Sequence, residues 1–309
     1  MYENGLAYDI FSQVGALLKS ESRSNPLGVA AKRVYLTGES QSANYVVTYF
    51  KYIHNLTKDK RGRPVYDGYL TEAAITPAGA PINQCVGTTN PLPTTDPQRL
   101  TIPGRGVPLV MIQSQWDYFP FRANPRKPDS NTPTDKTRTW ELAGSNHGWK
   151  WQYDYGDAAL VDLTKAGFEQ YNWTCPVNRP EVPLYMAEKA LYLWLDLWVT
   201  RGIAPPTADV ILTANGDEVY DQYGNAEGGL RFPMISVPIA SYGEGHFFLS
   251  PNCEEIVPFT SDVLTALYPK PHDYLKQYVK ATEGLMRGGF LLNEDARKLI
   301  QEAKQRNIP

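Results

Sequence analysis

The chain has 309 residues, 42% of them hydrophobic and 20% charged, with a formal net charge of −3 at pH 7. That is the size of one large domain or two small ones, with the balance of an ordinary globular protein. A slightly acidic chain lacks the basic excess that a nucleic acid or an anionic membrane surface selects, so neither is expected as a partner.

In chain order, Leu6, Ile10, Phe11, Val14, Leu17 and Leu18 recur at helical spacing and predict an amphipathic helix. The loop Asn25-Pro26-Leu27-Gly28 follows, then a strand-like run, Arg33-Val34-Tyr35-Leu36-Thr37. That run ends at Gly38-Glu39-Ser40-Gln41-Ser42-Ala43. Beyond it, Ala43, Val46, Val47, Phe50 and Ile53 mark a second helix. Ser40 therefore sits at a tight turn from strand into helix. Asp67–Thr71 reads as a short strand and residues 77–106 as a long excursion rich in Pro, Gly, Thr and Asn. Pro108–Gln113 is a buried strand running into Ser114-Gln115-Trp116-Asp117, and residues 122–136 form another loop. Arg138–Ala143 is a strand ending at Gly144-Ser145-Asn146-His147. Strands separated by crossovers imply a mainly parallel sheet, and such sheets gather reactive groups at the carboxyl ends of their strands. Ser40, Asp117 and His147 each lie just past such an end.

The second half offers fewer signals. Val182–Thr200 is a helix with Ala187, Leu191, Trp194 and Trp198 on one face, closed by Pro205-Pro206. Asp217, Glu218, Asp221 and Asn225 lack the spacing of a calcium loop and read as a solvated turn. Short helices are expected around Pro269 and Pro271, with another starting at Asn293-Glu294-Asp295. The three cysteines, Cys85, Cys175 and Cys253, have no metal-ligand spacing and read as buried or idle thiols, although one bridge can form. The triplets Asn55-Leu56-Thr57 and Asn172-Trp173-Thr174 are glycosylation acceptors only in a secreted protein. No apolar run approaches the roughly 20 residues of a membrane helix, and no signal peptide is legible.

The three residues suit one chemistry. A serine hydroxyl is a weak nucleophile until a base takes its proton, and histidine, with a pKa near neutrality, is the usual base. A carboxylate on the far ring nitrogen fixes the tautomer and steadies the imidazolium. The turn after Gly38 lifts the Ser40 hydroxyl clear of the sheet and offers the Gln41 backbone N–H to a developing oxyanion. Each residue has a plainer reading. A lone Gly-x-Ser-x-Ser is a weak string in which the serine is more often a helix cap. Glu39 packs or hydrogen-bonds beneath the turn rather than reacting. Asp117 can be a simple loop carboxylate, while Gln115 beside it cannot supply a charge. Among the histidines, His54 lies in a helix, His272 in a loop, and His246 is the serious rival to His147. Trp116, Tyr118, Phe119 and Phe121, with Trp149, Trp151, Tyr153 and Tyr155, either line an apolar acyl or aryl pocket or form the core of their own loops.

The chain resembles the α/β-hydrolase superfamily, and more closely a large family of serine esterases described as "alpha/beta hydrolase domain". The resemblance rests on Tyr8–Gln13, Gly38–Ala43, Gln113–Tyr118, Trp140–His147 and Tyr223–Arg231, followed by Pro238-Ile239-Ala240, and spans roughly residues 6–245. It implies one α/β-hydrolase-like domain over residues 1–309, with catalytic strands and triad in 1–160 and a helical, loop-rich extension in 161–309. It implies carboxylic-ester hydrolysis or related acyl transfer through Ser40, Asp117 and His147; beside it, the reading of the residues gives a small-molecule ester as substrate, the Gln41 N–H at the oxyanion, Trp116, Tyr118 and Trp149 against the substrate, and no metal or cofactor. An acyltransferase with the same triad and a non-catalytic scaffold or binding module are the alternatives. Two departures stand out. Members of the family often carry an acidic residue where this chain has Gln115. The strands that precede the nucleophile strand in a complete sheet, with the loop giving a second oxyanion donor, are not legible. A sheet opening at Val34 is therefore expected to have a free edge, to dimerise or aggregate through it, and to show weak or no esterase activity.

Overall fold

The computed structural model describes residues 5–74, 79–80, 82, 96–118, 126–147, 161–162, 164–167, 182–242, 256–306 and 308. Two compact units divide the chain. The first comprises Met1–Gln113, Phe121–Thr139 and Leu191–Thr207; the second comprises Ser114–Pro120, Trp140–Ala190 and Ala208–Pro309.

The central sheet is mainly parallel, and the α/β class read from the sequence is the class observed. Strand β1 (Tyr35–Glu39) pairs in parallel with β2 (Gly68–Glu72), Tyr35 opposite Gly68. Strand β2 pairs in parallel with β3 (Pro108–Ser114), Tyr69 opposite Leu109. The order is β1-β2-β3-β5-β4, where β5 is Lys136–Leu142 and β4 is the two-residue Ser130–Asn131 antiparallel to it. Every residue of β2 and all but one of β3 are buried, as the uninterrupted apolar run at Leu109–Ile112 requires of a strand covered on both faces. By contrast β1 is only partly buried, with Thr37 exposed, and it forms the edge of the described sheet.

Helix α1 (Gly5–Leu18) forms where the periodicity places it but buries a different face. Leu6, Ile10 and Val14 are exposed, whereas Gly5, Tyr8 and Gly15 are buried. The cause is close packing through small and aromatic residues. A side chain on Gly15 would overlap Val65 and Tyr66. Tyr8 and Phe11 set their rings 5.8 Å from Tyr45 and 6.5 Å from Tyr49. The tyrosines are buried with partners for their hydroxyls: Tyr66 donates to the Phe11 carbonyl at 2.7 Å, and the Tyr49 hydroxyl lies 2.9 Å from Ser12 Oγ and 2.8 Å from Thr57 Oγ1.

The second helix, α2 (Ser40–Thr48), continues into a π-helical turn, Tyr49–Ile53, rather than running on as α-helix. Such a turn displaces carbonyls from the ordinary ladder, and these need other donors. Arg105 supplies them: its Nε donates to the Phe50 carbonyl at 3.1 Å, and its Nη2 donates to that of Lys51. The buried Lys51 ammonium in turn donates to the Arg99 carbonyl.

His54 closes this turn, buried, with Nδ1 2.8 Å from the Tyr69 hydroxyl. Burial first, then the charges of Lys58, Arg105 and Lys19, lowers its pKa from 6.5 to about 4. Between those two values the unfolded chain binds a proton that the folded chain refuses. Folding stability therefore rises with pH across this window and is lost as pH falls through it, by about 3 kcal/mol for this residue. The replacement His54→Gln is expected to lose about 3 kcal/mol less than wild type between pH 7 and pH 4 in urea unfolding. Parallel losses in the two proteins would rule out this role for His54.

In the second unit the strand end Trp140–Leu142 is followed by Gly144 with φ +69°, a conformation natural to glycine. The stretch read as a solvated turn is instead well anchored. Asn225 is fully buried, its Nδ2 donating to the Ala240 carbonyl at 3.3 Å and its Oδ1 accepting from the Tyr242 N–H at 2.8 Å. Asp221 accepts the N–H groups of Tyr223 and Asn225 and pairs with Arg231 at 2.6 Å. Among the described residues no group of three or more His, Cys, Asp or Glu is arranged to hold a metal ion, and no helix is long and apolar enough to cross a membrane. The helices expected from the sequence are present at Leu184–Arg201, Ser261–Leu267, Asp273–Arg287 and Asn293–Gln305.

Candidate active site

Ser40 is the first residue of α2, directly after β1, and its φ is +53°. A non-glycine residue in this region is strained by roughly 1–2 kcal/mol. The local sequence explains how the turn closes. A Cβ on Gly38 would stand 2.7 Å from the Ser42 carbonyl carbon and oxygen and 2.9 Å from Ala43 N, so only glycine fits two residues before the serine. Two residues after it, Ser42 is compatible because its hydroxyl braces the turn. It donates to the Glu39 carbonyl at 2.6 Å and accepts the Glu39 N–H at 3.2 Å. Ser40 is half-buried and Gln41 exposed. The Gln41 N–H is one of the first-turn donors that an α-helix leaves without an intrahelical acceptor.

The turn offers a direct test. The variant Gly38→Ala must move the backbone of Ser42 and Ala43, and a destabilisation of about 1–3 kcal/mol is expected. Equilibrium unfolding indistinguishable from wild type would show that the turn has slack.

Asp117 and His147 belong to the second unit and meet there. The acid lies in the single helical turn Gln115–Tyr118 that follows β3, and the histidine lies beyond the end of β5. His147 Nδ1 and Asp117 Oδ1 are 2.5 Å apart, with the carboxylate side chain fully buried and the imidazole 17% exposed. The other carboxylate oxygen accepts a hydrogen bond from Ser114 Oγ at 2.5 Å, and the Asp117 N–H donates back to that hydroxyl oxygen at 3.0 Å. Nδ1 is thus committed to the carboxylate, which leaves Nε2 as the basic nitrogen.

The neighbouring side chains hold the two loops together. Trp116 N–H donates to the Ser145 carbonyl at 3.2 Å, and Gln115 N–H donates to Ser145 Oγ at 3.3 Å. Gln115, fully buried, accepts the Gly144 N–H on Oε1 at 2.6 Å and donates from Nε2 to Glu218 at 2.9 Å. Sequence reasoning sets Gln115 aside because an amide carries no charge, and it places Glu218 in a solvent-facing turn. Trp116 is half-buried with its ring 5.5 Å from the His147 ring. The Tyr118 side chain, Trp149 and the rival His246 lie outside the described residues, as do Cys85, Cys175 and Cys253.

Comparison with curated proteins and with solved structures gives no match. The model of one protein family, described as alpha/beta hydrolase domain, matches residues 1–301. Nearly the whole chain is covered, together with the mainly parallel sheet, and the chain belongs to that alpha/beta hydrolase family.

Proposed function

We propose that the chain is a serine hydrolase that cleaves carboxylic esters of small molecules, with Ser40 as nucleophile, His147 as general base and acid, and Asp117 as the orienting carboxylate. The observation that carries the reading is the strained backbone of Ser40 between β1 and α2. Strain at a serine persists only where the surroundings enforce it, and it has no structural benefit of its own. The Asp117–His147 bond supports it by supplying a base of fixed tautomer.

In this reading Ser40 Oγ attacks the ester carbonyl carbon while its proton passes to His147 Nε2. The Gln41 N–H receives the tetrahedral oxyanion. Collapse breaks the bond to the alkoxy oxygen, which leaves as the alcohol with the proton from His147. Water, deprotonated by the same nitrogen, then releases the acid and restores the serine hydroxyl. The Asp117 carboxylate offsets the charge of the imidazolium. Trp116, beside His147, forms part of the wall against which the ester rests.

A fluorophosphonate reacts with an activated serine irrespective of substrate. Labelling is expected on the peptide carrying Ser40, and to be abolished by His147→Ala. A folded chain that carries the label elsewhere, or none at all, would remove Ser40 from the role and favour a non-catalytic scaffold. Labelling at Ser40 with transfer of the acyl group to an alcohol rather than to water would identify an acyltransferase instead.

A further inference from the structure

Gln115 and Glu218 are separated by 103 positions in the chain and meet in the interior of the second unit. We propose that they form a polar strut that positions His147 against Asp117. The proposal rests on the reading of Asp117 and His147 as the acid and base of a hydrolase, and it assigns positioning roles to two residues that touch neither substrate nor reacting atoms.

The hydrogen bonds dictate the orientation of the amide. Gly144 N–H can only donate, so the atom 2.6 Å away must be the Gln115 oxygen. Glu218 as a carboxylate can only accept, so the atom 2.9 Å away must be the amide nitrogen. Tyr220 donates to the same Glu218 oxygen at 2.6 Å. The chain runs Tyr220 hydroxyl, Glu218 carboxylate, Gln115 amide, Gly144 N–H. A carboxylate accepting from one end of an amide strengthens the acceptor at the other end.

Its mechanical consequence lies in what it ties. Gln115 is two residues before Asp117, and Gly144 is three before His147. The bond between Gln115 and Gly144, with the two from Trp116 and Gln115 N–H to Ser145, therefore helps set the spacing of the two loops independently of the acid–base bond. Position 144 itself accepts only glycine, since its φ is +69° and a Cβ there would strike Ile235. Opposite the buried Glu218 of this chain, an amide at position 115 can serve both partners where a carboxylate cannot. A carboxylate at position 115 accepts from Gly144 but has nothing to offer Glu218, and two buried carboxylates then face each other. The ionisable groups on the segments joined are Asp117 on the acid turn, Glu141 on β5, His147 beyond it, and Asp217 and Tyr220 flanking Glu218. Glu141 accepts the Ile211 N–H at 2.9 Å on its Oε2.

The test exchanges the two ends of the strut. In Gln115→Glu the carboxylates can coexist only by sharing a proton. Compared with wild type at the same pH, the variant should be near-equal in kcat at the acid end of the profile and fall about 100-fold below it as pH rises and the proton leaves, the scale expected for a small misplacement of a catalytic group. In Glu218→Gln an amide still accepts from Gln115 and Tyr220, and the change should stay within about threefold. The double variant Gln115→Glu/Glu218→Gln reverses the polarity: the carboxylate introduced at position 115 would accept from both Gly144 and the amide introduced at position 218, and the Tyr220 hydroxyl would turn to accept from that same amide nitrogen. It should recover to within about threefold of wild type. KM should move little in all three. The ring-proton NMR signal of His147 Nδ1–H and the titration of its imidazole give a readout that needs no turnover. They should be altered in Gln115→Glu and restored in the double variant. A folded Gln115→Glu with an unchanged His147 signal and pH profile would overturn the strut, as would a folded double variant no better than the single. If the NMR pattern holds but wild type neither turns over esters nor labels at Ser40, the strut stands and the proposed reaction fails.

Discussion

Replacing Ser40 by alanine is expected to lower ester turnover by on the order of a millionfold, and His147→Ala to do the same. The double variant should be scarcely worse than either. The proposed mechanism explains the shared value. The hydroxyl attacks only while the imidazole takes its proton, so removing either partner removes the same step, and nothing remains for the second change to cost. Residual turnover above that of water would come from binding and from the Gln41 N–H. Steady-state kinetics on an activated ester, with unfolding curves to confirm that each variant folds, check the expectation. Two losses that multiply would mean that Ser40 and His147 act in separate steps.

Much of this arrangement is legible in the sequence because it depends on local pattern. The short apolar run at Leu109–Ile112, bounded by Pro108 and the polar Gln113-Ser114, suits a strand covered on both faces, and the structure buries all four residues. The small residue before the Ser40 turn is legible because a backbone crossing leaves no room for a Cβ at Gly38. Asp117 and His147 can be paired across 30 residues because each follows a strand end in the same sheet.

The unread features depend on distant partners. Periodicity places helix α1 but counts only apolar side chains. It cannot foresee that a Gly15 notch and the tyrosines will decide which face turns inward. The π-helical turn at Tyr49–Ile53 relies on a guanidinium more than 50 residues downstream, at Arg105. Glu218 reads as solvent-facing because an acidic residue in a polar stretch usually is. Its burial depends on Gln115 and Tyr220, and neither has a periodic signature.

Asp117→Asn is the second large effect, and Ser114 sets its size. Replacing an orienting carboxylate by an amide typically costs about 10,000-fold in kcat through the wrong imidazole tautomer. Here an asparagine has two orientations. With its oxygen towards Ser114 Oγ and its nitrogen towards His147, Nδ1 must become an acceptor, the ring proton moves to Nε2, and the base is lost. With the amide reversed, Nδ1–H is still accepted, but Ser114 Oγ, which already receives the backbone N–H of residue 117 at 3.0 Å, must accept a second donor. Its own proton then has no acceptor in a fully buried position. Leaving such a group unmade costs about 1–3 kcal/mol, enough to select the inactive orientation. The single variant should therefore fold and show the full loss of about 10,000-fold. Adding Ser114→Ala removes the hydroxyl that enforces the choice. Asp117→Asn/Ser114→Ala should recover about tenfold, the equivalent of about 1.4 kcal/mol, while the rest stays lost because no carboxylate offsets the imidazolium. Turnover and fluorophosphonate labelling rates for the single and double variants separate the two contributions. An Asp117→Asn protein within tenfold of wild type would remove Asp117 from the catalytic unit. A double variant no faster than the single would show that charge, and not tautomer, accounts for the whole effect.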